Sequence, residues 1–346
     1  MDSEKFEIRK KDHIRCSLLE ASQSPASGDW DRVTLLPEAL PELDLGEVSV
    51  GVHSLGRKWN SPFFVSSMTA GHTGSLSINQ VLAEACQSRG WLLGVGSQRR
   101  ELEDFSAHQE WKTLRRQYPG VLLASNIGLA QLIQTPTAQI QRLVDHTEAV
   151  ALFVHLNALQ ECLQLEGTPQ FKGGLSAIAE LSKALSVPVI VKEVGSGITD
   201  ATALKLVDAG VAAIDVSGRG GTHWGRVEGL RAPEASPQAR AAHTFRDWGI
   251  STPKALLQLS AHPSLGVEVW ASGGMRDGLQ AAKALAMGAS RVGLARPFLE
   301  KALDGTDSVI ALMDQLEYEL KISLFCLGVK DISEFRQRKV WLWERE

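Results

Sequence analysis

Eight short apolar runs alternate with segments whose apolar residues recur at helical spacing, and this alternation limits what the chain can become. From Pro62 onward the runs read FFVSS, WLLGVG, VLLASN, ALFVHLN, PVIVKEV, AAIDVSG, VEVWASG and RVGLA. Between them lie INQVLAEACQSRG, DFSAHQEWKTLRRQ, TAQIQRLVDHTE, LSAIAELSKALS, DATALKLVDAG, TPKALLQLSAH and DGLQAAKALAMGA, several closing on the glycine that a helix C-cap favours. Strands that alternate with helices pair in parallel. Eight such units suit a TIM (β/α)8 barrel better than an open doubly wound sheet, and helical stretches from Val309 to Cys326 and Asp331 to Arg338 complete its outer layer. Residues 1–60 differ. VTLLPEALPELDLGEVSVGVHSLGRKWNSP, with short β-type runs around Gly and Pro, predicts a small β-hairpin extension covering one end of the barrel. The division is therefore an N-terminal arm and hairpin over residues 1–60 and the barrel with its C-terminal helices over 61–346.

A TIM barrel gathers its chemistry where strands end. The strand ends here are polar: Ser66, Ser67, Met68 and Thr69; Ser97, Gln98 and Arg99; Asn126; Lys192 and Glu193; Ser217, Arg219 and Thr222; Ser272 and Arg276. The densest is HLNALQE. A strand through Val150 to Phe153 would deliver His155 and Asn157 on one face of the pleat, with Gln160 and Glu161 following in a loop. Taken alone this could be a strand whose last residues cap and solvate a loop. A common polar end on unit after unit favours an active site.

Composition removes other classes. The net charge of -4 argues against an extended nucleic-acid surface. No apolar run approaches the roughly 20 residues a membrane helix needs, and MDSEKFEIRKKDHIR lacks the apolar core of a secretory signal. A soluble cytoplasmic protein is expected. Cys16, Cys86, Cys162 and Cys326 form no CxxC pair and are expected as free thiols, with Cys162 a bystander beside the HLNALQE stretch.

Two glycine-rich stretches follow neighbouring strands, SGRGGT (Ser217 to Thr222) and ASGGMRDG (Ala271 to Gly278). Glycines let backbone N–H groups approach an anion, and the second stretch opens a helix whose dipole would help. The pair suggests a phosphate cradle rather than mere tight turns, with Ala295 and Arg296 added from the eighth strand. Lys192 ends the very apolar VPVIVKEV, where an inward lysine requires an anion or a partner. The N1–C2=O edge of a reduced flavin would supply one. IRKKDHIR, Ile8 to Arg15, reads as either a solvated basic face or an anion clamp.

Taken together, RKKDHI, SSMTAGH, GVGSQRRELE, SNIGLAQL, HLNALQE, VPVIVKEVGSGI, DVSGRGGTHW, ASGGMRDGLQAAKALAMGA and VGLARPFL closely resemble the type 2 isopentenyl-diphosphate delta-isomerases, FMN-dependent TIM-barrel enzymes, from about Glu4 to Arg338. One departure is Ala70, where the family usually has glycine. The resemblance implies that Ser66, Ser67, Met68, Thr69, Ser97, Asn126, Lys192, Ser217 and Thr222 contact FMN, with Gly274, Met275, Arg276, Ala295 and Arg296 on its phosphate side. It implies Arg9 and Lys10 as a clamp for substrate diphosphate, with Ser97, Gln98, Arg99, His155, Asn157 and Gln160 as further substrate contacts. Glu161 becomes the ligand of a diphosphate-bound Mg²⁺, and Gln160 and Lys192 the catalytic pair beside reduced FMN. Isopentenyl and dimethylallyl diphosphate are then the substrates, NADPH or NADH the reductant, and a homo-oligomer, tetramer or octamer, the assembly. The basic arm is expected to be mobile and to close over the diphosphate.

Two rival readings remain. An FMN-dependent 2-hydroxy-acid oxidoreductase shares the barrel and flavin site, but its histidine base lies in an SNHGxRQ-type motif, and the corresponding register here reads SGRGGTH with Arg219 in that place. A non-catalytic flavin-binding barrel would need neither HLNALQE nor the Arg9 and Lys10 clamp.

Overall fold

The computed structural model describes residues 3–25, 28–68, 74–104, 107–262 and 265–344. Thr69 and Ala70 lie outside these. Twelve strands are present among them: β1 (Val33–Leu35), β2 (Val52–Ser54), β3 (Arg57–Trp59), β4 (Phe63–Val65), β5 (Leu92–Gly94), β6 (Leu122–Gly128), β7 (Ala151–His155), β8 (Val189–Lys192), β9 (Ala213–Asp215), β10 (Glu268–Ala271), β11 (Arg291–Leu294) and β12 (Trp341–Trp343). Strands β4 to β11 are the eight apolar runs. They pair in parallel in chain order and close, β11 returning to β4 through Val292↔Phe63 and Leu294↔Val65. The fold is a TIM barrel. Runs such as Val189–Lys192 are buried at every residue, because one face packs into the barrel and the other meets the helices outside.

Inside the barrel Phe64, Phe153 and Trp270 form an aromatic triangle with ring centroids 5.0 to 6.1 Å apart. Below them, at the N-terminal end, the Arg291 guanidinium is fully buried, 4.0 Å from the Trp59 ring centroid and 5.3 Å from that of Trp270. The hairpin β2–β3 lies at this end. Ser54 Oγ and the Leu55 N–H each donate to the Glu268 carboxylate at 2.6 Å, so the hairpin plugs the barrel opposite its mouth.

Three features depart from the sequence reading. Strand β12 pairs antiparallel with β1, tying the chain's two ends together across some three hundred residues. Gln160 and Glu161 sit on a short helix, Ala158–Leu163, and not in a loop, since Asn157 leaves the strand to become its N-cap. The helix opened by ASGGMRDG begins only at Gly278, where Asp277 accepts from the Gln280 N–H and Glu319 from the Gly278 N–H, so carboxylates already occupy its positive end.

The arm is itself a helix, Ser3–Leu18. It packs against the helices Trp224–Arg231 and Arg296–Asp304 that follow the sixth and eighth barrel strands, and so lies across the mouth. No described helix is long and apolar enough to cross a membrane.

Candidate active site

A cavity of about 400 Å³ opens at the C-terminal mouth beneath the arm helix, within the usual range for small-molecule sites. The sequence-derived residues converge on it. Ser66, Ser67 and Met68 reach it from β4, Ser97 and Arg99 from beyond β5, Asn126 from β6, and His155, Asn157, Gln160 and Glu161 from β7 and its helix. Lys192, Ser217, Thr222, Gly274, Met275, Arg276, Ala295 and Arg296 form the opposite wall, and Arg9 and Lys10 come down from the arm. Thr69 lies outside the described residues. Gln98 does not reach the cavity wall, because its Oε1 accepts the Asn126 N–H at 3.1 Å and its side chain is fully buried beneath β6.

One wall is shaped for a flat ligand with an anionic tail. A Cβ on Gly274, at φ +76°, would lie 2.4 Å from the Gly220 carbonyl carbon, and one on Gly221 would lie 2.9 Å from the Gly274 nitrogen. Only glycines let the two loops approach this closely. No described residue accepts from the N–H groups of Gly274 or Met275, which are therefore available to an anion. The hydroxyls of Ser66 and Ser67 are buried and lack partners. Such orphaned groups beside a glycine cradle fit FMN: the backbone N–H groups and Arg276 suit its phosphate, and the serines its polar ring edge.

Deeper in, β7, β8 and β9 present His155, Lys192 and Asp215 in direct register. Cross-strand partners share a face, so all three point inward. Asn126 Nδ2 donates to the Val95 carbonyl at 3.1 Å, which leaves Asn126 Oδ1 to accept from His155 Nδ1 at 2.9 Å. The His155 proton therefore sits on Nδ1 and its Nε2 is an acceptor. Burial, then the charges of Lys192 and Lys10, pull His155 down to about 3, so the ring is neutral. Lys192 is also lowered by burial, with Asp215 and then Glu193 opposing. Glu193 turns the other way, as adjacent strand residues should. Its carboxylate accepts the N–H groups of Val194, Gly195 and Ser196 at 2.5 to 2.8 Å, yet burial still pushes it up to about 7.

The second wall is cationic. Arg9 is buried, 3.9 Å from Glu166, and Arg99 stands beside it. Burial first, then the charges of Arg9 and Arg99, lower Lys10 to about 8 against the opposing pull of Glu101. Arg9, Lys10 and His13 of the basic run thus turn inward to the cavity while Lys11 and Arg15 stay exposed, and the inward pair carries the desolvation cost an anion site imposes.

Between the two walls lies a polar chain that no motif announced. Gln160 Nε2 donates to Glu228 Oε1 at 3.0 Å, His13 Nε2 approaches the same oxygen at 2.9 Å, and Arg231 holds the other oxygen at 2.5 Å. Burial acts to raise Glu228, but His13, Arg231 and Gln160 together outweigh it and hold the carboxyl below its ordinary value. His13 is lowered by burial, so the pair is a neutral imidazole donating to a carboxylate. Glu228 lies in the middle of a helix in the stretch WGRVEGLR, which offers it only Arg231 locally; Gln160 and His13 reach it from elements distant in sequence. Glu161 is buried, with Asn157 donating to one oxygen at 2.9 Å and the Thr168 N–H to the other at 2.6 Å. Its two oxygens offer about four acceptor positions, so capacity for a hard cation remains. No group of three or more His, Cys, Asp or Glu that could hold a metal occurs among the described residues. A metal here would draw most ligands from water and a bound anion.

The histidine after SGRGGT is spent elsewhere. His223 is buried as the N-cap of helix Trp224–Arg231, with Nδ1 accepting from the Arg226 N–H and Nε2 against the Trp248 carbonyl. Arg219 does not line the cavity; its guanidinium lies 3.9 Å from Asp247. Neither His223 nor Arg219 is therefore placed to act as the base of a 2-hydroxy-acid oxidoreductase. All four cysteines are free, and Cys162 faces solvent.

Comparison with known proteins gives a consistent picture. The model of the FMN-dependent dehydrogenase family matches residues 124–342. The chain is 50% identical over 334 residues to the isopentenyl-diphosphate delta-isomerase of Legionella pneumophila (strain Corby), covering 96% of this chain and 97% of that one. It is 49% identical to the protein of the same name from Bdellovibrio bacteriovorus, covering 97% of each. The corresponding protein of Halobacterium salinarum is 40% identical over 340 residues, 97% of this chain and 93% of its own. Among solved structures, an oxidised active mutant of (S)-mandelate dehydrogenase superposes with a TM-score of 0.69 at 16% identity, covering 99% of both chains. A mandelate oxidase mutant superposes with a TM-score of 0.63 at 20% identity over 97% of this chain and 98% of its own. At such identities these structures speak for the fold alone.

Proposed function

This chain belongs to the isopentenyl-diphosphate delta-isomerases, within the wider FMN-dependent dehydrogenase family, and from that premise we propose that it interconverts isopentenyl and dimethylallyl diphosphate in isoprenoid biosynthesis with reduced FMN. The observation that carries this reading is the Gln160–Glu228 pair, which sets a proton-handling group between a flavin-shaped wall and a cationic wall in one cavity.

The reaction adds a proton to one alkene carbon and removes one from another, with no net redox change. An alkene is a weak base, so the site must supply a well-placed proton and protect a cation-like state from water. When bound, reduced FMN supplies an electron-rich ring that favours that state and a position able to exchange a proton. The chain's residues do the rest. Arg9, Lys10 and Arg99 hold the diphosphate, with Asn157 and His155 beneath them. Glu161 would hold a Mg²⁺, whose charge would help neutralise the diphosphate. Gln160 is too weak an acid and base to act alone. Its amide passes the proton to or from Glu228, which does not itself reach the cavity. Lys192, which lines the cavity, would stabilise negative charge on a reduced flavin bound there. The arm helix closes the mouth and excludes water. NADPH or NADH would supply the electrons that keep the flavin reduced, and the working form would be a cytoplasmic homo-oligomer, a tetramer or octamer.

The test is anaerobic conversion of isopentenyl diphosphate with FMN, Mg²⁺ and a chemical reductant, beside the same mixture with oxidised FMN. Product only with reduced flavin, with solvent deuterium entering the substrate, supports the reading. No product in either mixture with FMN bound would overturn it.

A further inference from the structure

We propose that Asp215, which none of the site motifs assigns, is the positioning residue that keeps Lys192 an ammonium ion at the flavin wall. Lys192 and Asp215 are register partners on β8 and β9, so their side chains emerge side by side on the inner face of the barrel. Both are buried, and Asp215 completely so. The charged and titratable groups facing this pair are few. On β7 the neighbour is His155, which is neutral and faces Asn126. Just after β8, Glu193 turns to the opposite face and gives its carboxylate to three backbone N–H groups, leaving Lys192 Nζ only the Glu193 carbonyl, at 3.0 Å. On β10 the neighbour is Trp270, and just beyond that strand it is Ser272. Asp215 is therefore the one anionic side chain on the lysine's own face among the described residues.

Burial raises Asp215 above its ordinary carboxyl value, and Lys192, then the Ser272 and Ser217 donors, act against it toward the carboxylate form. The Ser272 hydroxyl lies 2.7 and 2.9 Å from its two oxygens and the Ser217 N–H 3.3 Å from one of them, and both partners are donors. A buried lysine without a nearby anion would shed its proton. Burial does lower Lys192, and Asp215 is the largest influence acting the other way. A neutral lysine could not stabilise charge at the flavin edge, so Asp215 acts on the cofactor through Lys192 and touches neither substrate nor cofactor.

This inference rests on the reading that Lys192 faces bound FMN, and the experiment separates the two. Wild-type protein, Asp215→Asn, Lys192→Met and the double variant are loaded with FMN and reduced anaerobically. The pH at which the bound reduced flavin passes from its neutral to its anionic form is then read by absorption. The expected result is a midpoint raised at least one unit, a tenfold change in proton affinity, in both single variants, with no further rise in the double variant. A midpoint unchanged or lowered in Asp215→Asn, while Lys192→Met raises it, overturns the inference and leaves the flavin reading intact. An unchanged midpoint in Lys192→Met overturns the placement of Lys192 against the flavin, and the inference with it. If Asp215→Asn does not fold, Ser272→Ala serves, because an Asp215 deprived of its hydroxyl donor takes a proton more readily. It should raise the midpoint in the same direction, and no movement there overturns the inference.

Discussion

Lys10 should make diphosphate binding pH-sensitive in a range where an ordinary lysine would be indifferent. Its amine is lowered from 10.5 to about 8 by burial and by Arg9 and Arg99. The cation is needed to meet the diphosphate, so binding is strongest well below pH 8 and weakens as pH rises through it. At pH 9 about one lysine in eleven remains protonated in the empty site, which predicts an apparent affinity roughly tenfold lower than at pH 7, or about 1.4 kcal/mol. Stability should move oppositely. A lysine whose folded value lies below its unfolded value is a burden while protonated, so the fold gains stability as pH rises from about 8 toward 10.5, by at most about 3 kcal/mol.

The assay is calorimetric titration of the FMN-loaded protein with inorganic pyrophosphate and Mg²⁺ between pH 7 and 9.5, repeated on Lys10→Arg. Arginine stays charged throughout, so its profile should lose the step near pH 8 while other titrating groups, such as Glu101 at about 7, contribute equally to both proteins. A wild-type affinity flat to pH 9.5, or the same step in Lys10→Arg, would refute the assignment of the step to this amine.

Three further outcomes are expected. Glu228→Gln should lower kcat by about a hundredfold or more, as loss of a general base commonly does, while pyrophosphate affinity changes less than threefold; comparable losses in both would make Glu228 a merely structural support. Gly274→Ala places a methyl 2.4 Å from the Gly220 carbonyl carbon at φ +76°, so FMN affinity measured by flavin fluorescence should fall at least about tenfold, the equivalent of 1.4 kcal/mol. At the barrel floor, Arg291 has two guanidinium nitrogens without partners, and Glu268 has donors of its own. Urea unfolding should therefore find Arg291→Met within about 1.5 kcal/mol of wild type, whereas Arg291→Ala, which leaves a cavity between Trp59 and Trp270, should cost about 3 kcal/mol.

The barrel was legible because its signal is local and repeated: each strand is a buried apolar run and each helix a periodic one, so no long-range knowledge was needed to read them in order. The strand-end residues were legible for the same reason, since topology alone carries Asn126, His155 and Lys192 to one mouth. What escaped depends on partners distant in sequence. WLW at Trp341–Trp343 is too short to read as a strand until Val33–Leu35 lies beside it. Glu228 resembles any polar residue on a surface helix until His13 arrives from the arm, 215 positions away. Gln98 misled in the opposite sense. Its place between Ser97 and Arg99 suggests a cavity contact, but the chain turns at Gln98 and its side chain meets the Asn126 backbone instead.

The way the arm is attached explains why anion clamp and flavin wall occupy one cavity. Beyond the arm helix, the Gln23 side chain donates to the Ser17 carbonyl at 3.0 Å and to Thr222 Oγ1 at 3.2 Å, while the Ser24 N–H donates to the Gly221 carbonyl and the His223 N–H to that of Ser22. The arm's last turn is thus stitched to SGRGGT, the glycine loop of the flavin wall. On the far side Arg296 donates to the Leu18 carbonyl at 3.1 Å, a cation placed where the helix leaves its carbonyls unsatisfied. Two loops that shape the flavin wall therefore also fix the end of the helix that carries Arg9, Lys10 and His13. Their distance from the mouth is set by the same backbone that sets the glycine cradle. A basic run near the chain's start becomes part of an active site because the loops beneath it hydrogen-bond its end where it lands.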